Sequence, residues 1–497
     1  MSRHIEADHS EQFLLPEAVD DYVGADHPAR FIYDVVCQLA LGSFGLRSGA
    51  GTSETEEGRP RYGARMLLSM WAYAYFFHIE SSRRLEMASY NDLGLIWLTS
   101  HHHPDHTTLA RFLGGNPEAI GQVFEQVVRI AKASGLIGLV LQAVDGTKIK
   151  AASSGRTGYY LKRCEALLPN LDASITERIA AIQANDASEA EFGSLLLPQE
   201  LTDDIARRET IRSAIATMQA AQRTSYHPNE PEAQTMPCGP ERTFGYNAQA
   251  VADEKHGIIV AAVVTTEPND VHQLVPMIEA AEATLGARTA ETIADKGYAS
   301  SPAFGALAER GYAATVALPD NFLPHPEEPF DASNFTYDAE QDVMICPTGP
   351  KLPFLKVRTQ KGTESRLYQC KVAATCPHRA TCSKNKVGRV VSLNAHHAAI
   401  EHQREKYGSE AGREALGQRS GLIEPVFARI KQHRGFRRWT LRGWKKVSAQ
   451  WALVTTAENL RIMYRHQTQN RGRSNGVQTK DRFRRSGRRI GGRLCAA

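Results

Sequence analysis

The spacing of apolar residues changes along the chain and divides it into regions. Residues 10–140 carry apolar residues at helical spacing, as in ARMLLSMWAYAYFFHIESSRRLEMAS and EAIGQVFEQVVRIAKASGLI. Breaker residues are few within these stretches, and glycines follow their ends. The pattern predicts an all-helical N-terminal domain over residues 1–137.

From residue 138 onward, short apolar runs typical of buried strands alternate with helical patterns. The first run, LIGLVLQAV, leads to Asp145 and DGTKI, which we expect to form a turn. The segment RTFGYNAQAVADEKHGIIVAAVVTT predicts a hairpin that turns at Asp253–Gly257, and helices then alternate with the runs TIAD and YAATVALP. The order β–β–β–α–β–α–β over residues 138–465 predicts an α/β fold, a mixed sheet flanked by helices.

Two segments interrupt this order. Residues 165–225 are highly charged with heptad-like apolar spacing, which predicts an insertion of helices that pair with each other or with a partner. Residues 320–395 form a second insertion, which contains Cys346, Cys370, Cys376 and Cys382. Four thiolates can close a tetrahedral structural zinc site, although no Cys-x2-Cys pair is present. A zinc site and four reduced thiols are both compatible with this spacing.

Charge is distributed unevenly along the chain. From Arg429 to the end, nineteen Lys or Arg residues face only Glu458 and Asp481, a balance of +17, whereas residues 1–428 carry −13. Such a basic region is typical of nucleic-acid binding. Six cations near its start are candidates for phosphate contact: Arg434, Arg437, Arg438, Arg442, Lys445 and Lys446. The Gly/Arg-rich residues 466–497 are expected to be a disordered tail until they meet nucleic acid.

Composition excludes several other classes of protein. No apolar stretch among the 497 residues approaches the roughly 20 needed to span a bilayer, so no membrane partner is expected. The N-terminal residues MSRHIEADHS lack the apolar segment of a secretory signal. Eight cysteines in so long a chain do not make a disulfide scaffold, which favours a cytoplasmic location.

Three acidic residues stand where a metal-dependent enzyme would place its ligands. Asp145 and Asp295 each follow a strand-like run, and Glu424 stands at the predicted start of the helix EPVFARIKQHRGF. Carboxylates that converge on two cations allow a protein to cleave or join phosphodiesters. Lys431, seven residues after Glu424, is expected on the same helical face and could contact a charged phosphoryl group.

The order of elements, together with DGTKI, YNAQ, NDVHQLVPM, DKGY, EPVFARIK and GFRRWTLRGWKKV, resembles the DDE transposases of bacterial insertion sequences. The helical N-terminal domain and the cysteine-bearing insertion are similar to one branch of the insertion sequence four superfamily. The resemblance covers roughly residues 10–465 and implies an RNase H-like catalytic core.

The resemblance implies Mg²⁺ or Mn²⁺ bound by Asp145, Asp295 and Glu424, with Lys431 in the catalytic set. It also implies cleavage and strand transfer at the terminal inverted repeats of an element. The partners would be double-stranded DNA at those repeats and at the target, bound by a homodimer or higher assembly. The N-terminal domain would serve DNA-end binding or assembly.

One departure from the superfamily concerns the residues upstream of Glu424. The superfamily places a tyrosine and an arginine there, whereas Gly417 stands in the tyrosine position and Arg419 lies one position too far from Glu424. The roles of those two residues are therefore not transferred to this chain.

Other interpretations of single residues stay open. Tyr298 could stack on a displaced base or contact the scissile phosphate, and it could equally be a packing residue. Asn269, Asp270 and Gln273 indicate a helix start, with Asn269 or Asp270 as the cap. For the whole chain, a catalytically retired DNA-binding regulator and an RNase H-like nuclease are the alternatives to an active transposase.

Overall fold

The computed structural model describes residues 18–46, 61–186, 199–360, 363–385 and 387–490, with side chains described up to residue 470 except for 183–186. Six helices form the N-terminal region: α1 Pro28–Gln38, α2 Ala64–Phe76, α3 Ser82–Ser89, α4 Leu93–Thr99, α5 His106–Gly115 and α6 Pro117–Ala133. Helix α2 is buried from Leu67 to Phe76 because its sequence is apolar on every side. The all-helical prediction for this region is confirmed.

A six-stranded mixed sheet follows. Its strands are β1 Leu141–Lys150, β4 Gln234–Cys238, β5 Glu241–Asp253, β6 Ile259–Thr265, β7 Glu291–Ala294 and β8 Ala314–Val316. Strand β5 pairs antiparallel with β1, while β1, β7 and β8 run parallel, and β4 and β6 both pair with β5. Helix α9 Leu274–Leu285 connects β6 to β7, and helix α10 Ser301–Arg310 connects β7 to β8. This is the predicted RNase H-like mixed sheet.

Strand β1 is longer than the sequence suggested. The residues DGTKI were expected to turn, but β1 continues to Lys150 and pairs with β5 as far as Gly245. The alternation of Thr147 and Ile149 toward the core supports this extension, since both side chains are buried. Asp145 therefore lies inside a strand, one position beyond the last residue that pairs with β7.

The helical insertion consists of α7 Leu161–Asp186 and α8 Gln199–Ala220, bracketed by the short strands β2 Tyr159–Tyr160 and β3 Ser225–Tyr226. The two helices pack against each other through a small cluster of buried residues: Cys164, Ile211, Ala214 and Met218. The expected pairing of the two helices is therefore present.

The cysteine-bearing segment contains a separate five-stranded antiparallel sheet with helix α11 Arg379–Cys382 beside it. Its strands are β9 Thr336–Asp338, β10 Val343–Ile345, β11 Lys351–Gln360, β12 Thr363–Gln369 and β13 Val390–Asn394. Among the described residues, a small buried cluster forms its core: Phe335, Met344, Leu352, Tyr368, Val391 and Leu393.

Four further helices complete the chain: α12 His397–Gly408, α13 Glu410–Leu422, α14 Glu424–Ala428 and α15 Trp444–Ile490. Helix α15 joins the N-terminal helices to the sheet. The Gln450 amide donates to the Tyr75 hydroxyl on α2 at 2.8 Å, and the Trp451 indole donates to the Gln249 carbonyl on β5 at 2.9 Å. Consequently one continuous hydrophobic core runs from Ala29 to Met463 and crosses the boundary predicted at residue 137.

Helix α15 also differs from the expectation for the C-terminus. Residue 466 was taken as the start of a disordered tail, but the helix continues through it to Ile490. Extending a helix that is already packed costs less than starting one, which accounts for regular structure beyond the buried part. Residues 491–497 of the predicted tail lie outside the described residues. Among the helices of the described ranges, none is both long and apolar enough to cross a membrane.

Candidate active site

Asp145 and Asp295 lie side by side because β1 and β7 are neighbouring parallel strands. Val144 pairs with Ala294. Asp145 directly follows Val144, and Asp295 directly follows Ala294. One oxygen of Asp145 accepts from the Gly146 N–H at 2.7 Å, and Asp295 accepts from the Gly297 N–H at 2.9 Å. The register therefore brings the two predicted aspartates next to each other on neighbouring strands.

Arg419 connects the pair to Glu424. Its guanidinium lies 3.1 Å from the Asp145 Oδ2 atom and 3.7 Å from the Glu424 Oε1 atom. Helix α13 places Arg419 over the sheet, and Glu424 begins α14 one residue after α13 ends. Arg419 thus contacts two of the three predicted carboxylates, Asp145 and Glu424, while Asp295 stands on the strand next to Asp145.

Burial changes the pKa of one carboxyl of this site, that of Asp145. Burial raises the pKa of Asp145, and the Gly146 N–H and the charge of Arg419 oppose that rise, while neighbouring Asp295 adds to it. A buried carboxyl loses its proton more readily when a cation is close. Arg419 supplies that cation in the structure.

Lys431 lies near the carboxylates, but not for the reason given by its spacing. Helix α14 ends at Ala428 and is followed by a π-helical turn, Arg429–His433, so seven residues no longer equal two α-helical turns. Burial lowers the pKa of Lys431, and the carboxylate of Asp145 is among the charges that oppose this lowering. The lysine is therefore a half-buried cation beside Asp145.

Asp270 belongs to the same site, and the sequence analysis assigned it only a capping role. Helix α9 starts at Leu274 with Gln273 as its N-cap, so Asp270 does not cap it. Instead its carboxylate accepts from the Lys148 ammonium at 2.6 Å, the Asn247 amide at 2.7 Å and the Gln249 amide at 2.6 Å. A signal was present, because Asn247 and Gln249 are polar residues two apart on one face of an otherwise apolar strand.

Two glycines show how closely these groups approach the backbone. A Cβ atom on Gly146 would lie 2.1 Å from the Gln249 Nε2 atom and 2.8 Å from the Asp270 Oδ1 atom. A Cβ atom on Gly297 would lie 3.0 Å from the Asp295 Oδ1 atom and 3.8 Å from the Asp270 Oδ2 atom. The carboxylates of Asp270 and Asp295 therefore face the same space beside Gly297.

Tyr298 is a packing residue. Its ring is fully buried, and its hydroxyl donates to the Gln249 side-chain oxygen. Burial, with the nearby charges of Asp270, Asp145 and Asp295, holds the pKa of this hydroxyl well above its usual range. The prediction that Tyr298 stacks on a base or contacts phosphate is wrong, because no face of the ring is open.

Arg434 is likewise not a phosphate ligand. Its side chain is only 1% exposed and lies 2.5 Å from Glu458, which is also 1% exposed. Arg429 and Arg461 approach the same carboxylate at 3.3 and 3.8 Å. None of the three guanidinium nitrogens has a hydrogen-bond partner in the part of the chain with described side chains. Because this guanidinium is buried, it cannot reach DNA, and the prediction that Arg434 contacts phosphate is wrong.

The remaining predicted phosphate ligands are exposed on the surface: Arg437, Arg438, Arg442, Lys445 and Lys446. Arg437 donates to the Lys431 carbonyl at 3.2 Å, which holds it next to the site. Arg438 lies beside the end of β1, where its backbone forms a parallel β-bridge with Lys150. Their contact with DNA stays a prediction.

The four cysteines of the five-stranded sheet come to one end of it. Cys346 directly follows β10 and Cys370 directly follows β12, two strands that run in the same direction, and Cys376 and Cys382 lie in the segment between Cys370 and β13. Burial raises the pKa of Cys382, and the other three thiols add to that rise. All four thiols are free.

The donor chemistry of the two candidate metal sites fits the expected ions, with one reservation from geometry. Carboxylate oxygens suit Mg²⁺ or Mn²⁺, and thiols suit Zn²⁺. Across the described residues, however, no group of three or more His, Cys, Asp or Glu side chains stands as a ready ligand set. At the carboxylates, Arg419 and Lys148 hold the oxygens that a metal would otherwise share.

Two family models match the chain. The model described as Transposase DDE domain matches residues 345–464, which include Glu424, Lys431 and the four cysteines but not Asp145 or Asp295. The model described as Transposase domain (DUF772) matches residues 17–114, within the N-terminal helices. No curated protein matches the chain.

The two matches flank the part of the chain that carries Asp145 and Asp295, and the sheet brings those aspartates to Glu424. Both matches are to transposase domains, and they support a DDE transposase of the insertion-sequence type.

Proposed function

We propose that this transposase cleaves DNA and transfers DNA strands at the terminal inverted repeats of an insertion sequence, in a reaction that requires Mg²⁺ or Mn²⁺. The observation that carries the proposal is the position of Arg419 between Asp145 and Glu424, with Asp295 on the adjoining strand. Three carboxylates delivered by two strands and a helix are the arrangement needed to hold divalent cations for phosphodiester chemistry.

Asp145, Asp295 and Glu424 would hold the metal, and Asp270 would orient the surrounding side chains. Bound there, a divalent cation would activate the attacking hydroxyl and stabilise the leaving oxygen. Glu424 is 58% exposed, so its side chain is free to move toward the aspartates. Arg419 would then exchange its carboxylate partners for the DNA phosphate, which keeps a cation next to the developing charge.

Lys431 and Lys148 would contribute positive charge to the site. The half-buried ammonium of Lys431 is positioned to contact a phosphate at the site. Lys148 is 16% exposed and pairs with Asp270, which makes it a positioning residue for that carboxylate. The exposed cations from Arg437 to Lys446 would hold the DNA backbone without reading its sequence.

The test is cleavage of duplex DNA that carries the element's ends by the purified full chain with Mg²⁺. Asp145→Asn and Glu424→Gln should each reduce cleavage at least a hundredfold, because each removes a metal ligand but keeps the shape of the side chain. Asp203→Asn on α8, an exposed aspartate far along the chain from the site, serves as the control and should cleave like the unaltered protein. Full cleavage by both site variants would rule out the assignment.

The products of the same reaction separate the two alternatives. A catalytically retired DNA-binding regulator would bind the ends but leave them intact with either metal. A nuclease on the same fold would cut DNA without joining it to a target and without regard to the end sequence. Joined products from the unaltered chain would support transposition.

Structural Zn²⁺ at Cys346, Cys370, Cys376 and Cys382 is a second proposal, about stability rather than catalysis. Its support is that four thiols meet at one end of a sheet with a very small core. Metal analysis of the purified protein tests it directly. About one zinc per chain, lost in Cys376→Ser but kept in Cys164→Ser, is the expected result. Zinc-free protein would favour four reduced thiols.

A further inference from the structure

A cavity of about 260 Å³ lies between helices α7 and α8 of the insertion and residues 156–160, which follow β1. Three arginines line it from three different elements: Arg156 from the turn after β1, Arg163 from α7 and Arg207 from α8. Tyr159 and Tyr160 also line the cavity, and no carboxylate does. The cavity therefore gathers positive charge beside two aromatic rings.

The arginines of the cavity differ from the other arginines of the insertion. Arg178 pairs with Glu200 at 2.5 Å and with Asp204 at 3.5 Å, while Arg208 and Arg212 both pair with Asp172, at 3.7 and 3.2 Å. Within the described ranges, Arg156, Arg163 and Arg207 make no ion pair. Three like charges around one space repel each other, so the arrangement suits an anion that has several oxygens.

Packing holds the backbone that carries the three arginines, while their side chains are exposed. Cys164 follows Arg163 directly, and Ile211 lies one helical turn after Arg207; both are buried in the cluster that joins α7 to α8. On the side of β1, the Ser154 hydroxyl accepts from the Arg156 backbone N–H at 3.4 Å. Both the helix pair and the turn are therefore fixed by contacts that do not use the guanidinium groups.

The cavity follows β1 along the chain, and the two lysines of that strand are paired with carboxylates: Lys148 with Asp270 and Lys150 with Glu241. Strand β1 carries Asp145, Lys148 and Lys150. Arg438 forms a backbone β-bridge with Lys150, and its guanidinium donates to the Ala152 carbonyl at 3.5 Å. Arg156 follows four residues after Ala152. Five strand residues span roughly 17 Å, which equals about five phosphates along one DNA strand.

We propose that Arg156, Arg163 and Arg207 form a phosphate-binding pocket for the DNA backbone, five or more nucleotides from the phosphate held at Asp145. The proposal rests on the proposed function, since it takes that site as the point of cleavage. The pocket would fix the direction in which the DNA leaves the site, and the tyrosines would pack against the sugar edge. Because the contact is to phosphates, it would not depend on base sequence.

The experiment measures binding of a labelled element-end duplex to the full chain in EDTA, where cleavage does not occur, over a range of salt concentrations. The triple variant Arg156→Gln, Arg163→Gln, Arg207→Gln should weaken binding at least tenfold and reduce the slope of log affinity against log salt by about 3, one unit for each lost phosphate contact. The matched control Arg178→Gln, Arg208→Gln, Arg212→Gln removes the same charge from paired arginines and should leave the slope within one unit of the unaltered value. Thermal unfolding of both variants checks that the insertion still folds.

Each other outcome has a defined meaning. Equal losses in the two triple variants would overturn the pocket, because general charge would then explain the binding. A pocket variant with unaltered DNA binding that loses affinity for inorganic pyrophosphate would assign the cavity to a free phosphate compound and overturn the DNA contact. If the unaltered chain itself fails to bind the duplex, both the pocket and the proposed function are overturned. If it binds the duplex through the pocket but does not cleave it with metal, the phosphate contact is supported and the proposed function is overturned.

Discussion

The two sheets of this protein are stabilised in very different ways. The six-stranded sheet lies inside a core that includes the N-terminal helices and the buried length of α15. The five-stranded sheet has six buried core residues, and most of β11 is exposed to solvent. A small core supplies little hydrophobic stabilisation, so a sheet of this size needs some other support.

The difference also separates their functions. The carboxylates of the candidate active site come from the large sheet, from the loop between β6 and α9 and from a helix that follows α13. The small sheet carries four cysteines and none of those carboxylates. Precise placement of charged groups therefore coincides with the larger core, which agrees with the need for a rigid frame around a catalytic site.

The largest effect is expected from Trp451→Ala. Trp451 is fully buried between Phe427 and Trp439, and its indole donates to the Gln249 carbonyl on β5. Its loss should lower the free energy of unfolding by about 4 kcal/mol, because it leaves a large cavity in the shared core. Urea unfolding of the six-stranded part measures the change. Trp444→Ala, at a half-exposed position, should cost far less, and equal costs would contradict the idea of one shared core.

A somewhat smaller effect is expected from Arg434→Met. This change leaves Glu458 buried with only Arg429 and Arg461 nearby, which should lower the free energy of unfolding by about 3 kcal/mol. The same urea unfolding measurement applies. Exposed Arg438→Met is the control and should be nearly neutral for stability while weakening DNA binding. If Arg434→Met instead weakens DNA binding without loss of stability, the original phosphate-contact assignment would be restored.

Removal of zinc should act on the small sheet alone. On the zinc proposal, a chelator at neutral pH should increase amide hydrogen exchange about tenfold or more in residues 336–394 and leave the six-stranded sheet protected, because metal binding is coupled to folding of its ligands. Exchange followed by mass spectrometry locates the change. Cys376→Ser should show the same exchange without the chelator. Equal exchange in both sheets would contradict their independence.

The smallest effect concerns pH and the half-buried Glu80, between α2 and α3. Burial raises the pKa of Glu80 to about 7, above its usual range, so the folded protein binds a proton there that the unfolded chain releases. The stability gained from this proton is full below about pH 4.5 and is lost as pH rises through 7. Glu80→Gln should therefore become more stable than the unaltered protein by about 1 kcal/mol at pH 8, but not at pH 4.5, once solvent screening is allowed for. Thermal unfolding across pH measures it.

His78 provides a check with the opposite sign. Burial and the charges of Arg461 and Arg434 lower the pKa of His78 to about 4, so its contribution is present above pH 6.5 and is lost as pH falls toward 4. His78→Asn should therefore gain stability relative to the unaltered protein as pH falls through this window. A pH profile unchanged by both substitutions would show that neither group titrates in the folded protein.

The sequence predicted most of the fold, because helical and strand periodicities are local and strong. It predicted the N-terminal helices, the hairpin turning near Asp253–Gly257 and the second strand that ends beside Asp295. It did not predict the extension of β1 past Asp145, because DGTKI has turn-forming residues and its strand conformation depends on pairing with β5. Tertiary contact decided the structure there.

The candidate site was predicted in part for a similar reason. Asp145, Asp295 and Glu424 could be selected because each stands at the edge of a recognisable element. Arg419 could not, since its role depends on how α13 crosses the sheet and not on its spacing from Glu424. Arg434 resembled its basic neighbours in sequence, and only the packing of α15 shows that it is buried. Burial of a charge is a property of the whole fold.

The amide of Asn459 on α15 both donates to the Ile259 carbonyl and accepts from its N–H, each at 2.8 Å, while Gln450 on the same helix holds α2. The helix therefore acts as a fixed spacer between the N-terminal helices and the catalytic sheet. If the proposed function holds, a duplex bound to both the N-terminal helices and the sheet would meet them at one fixed separation.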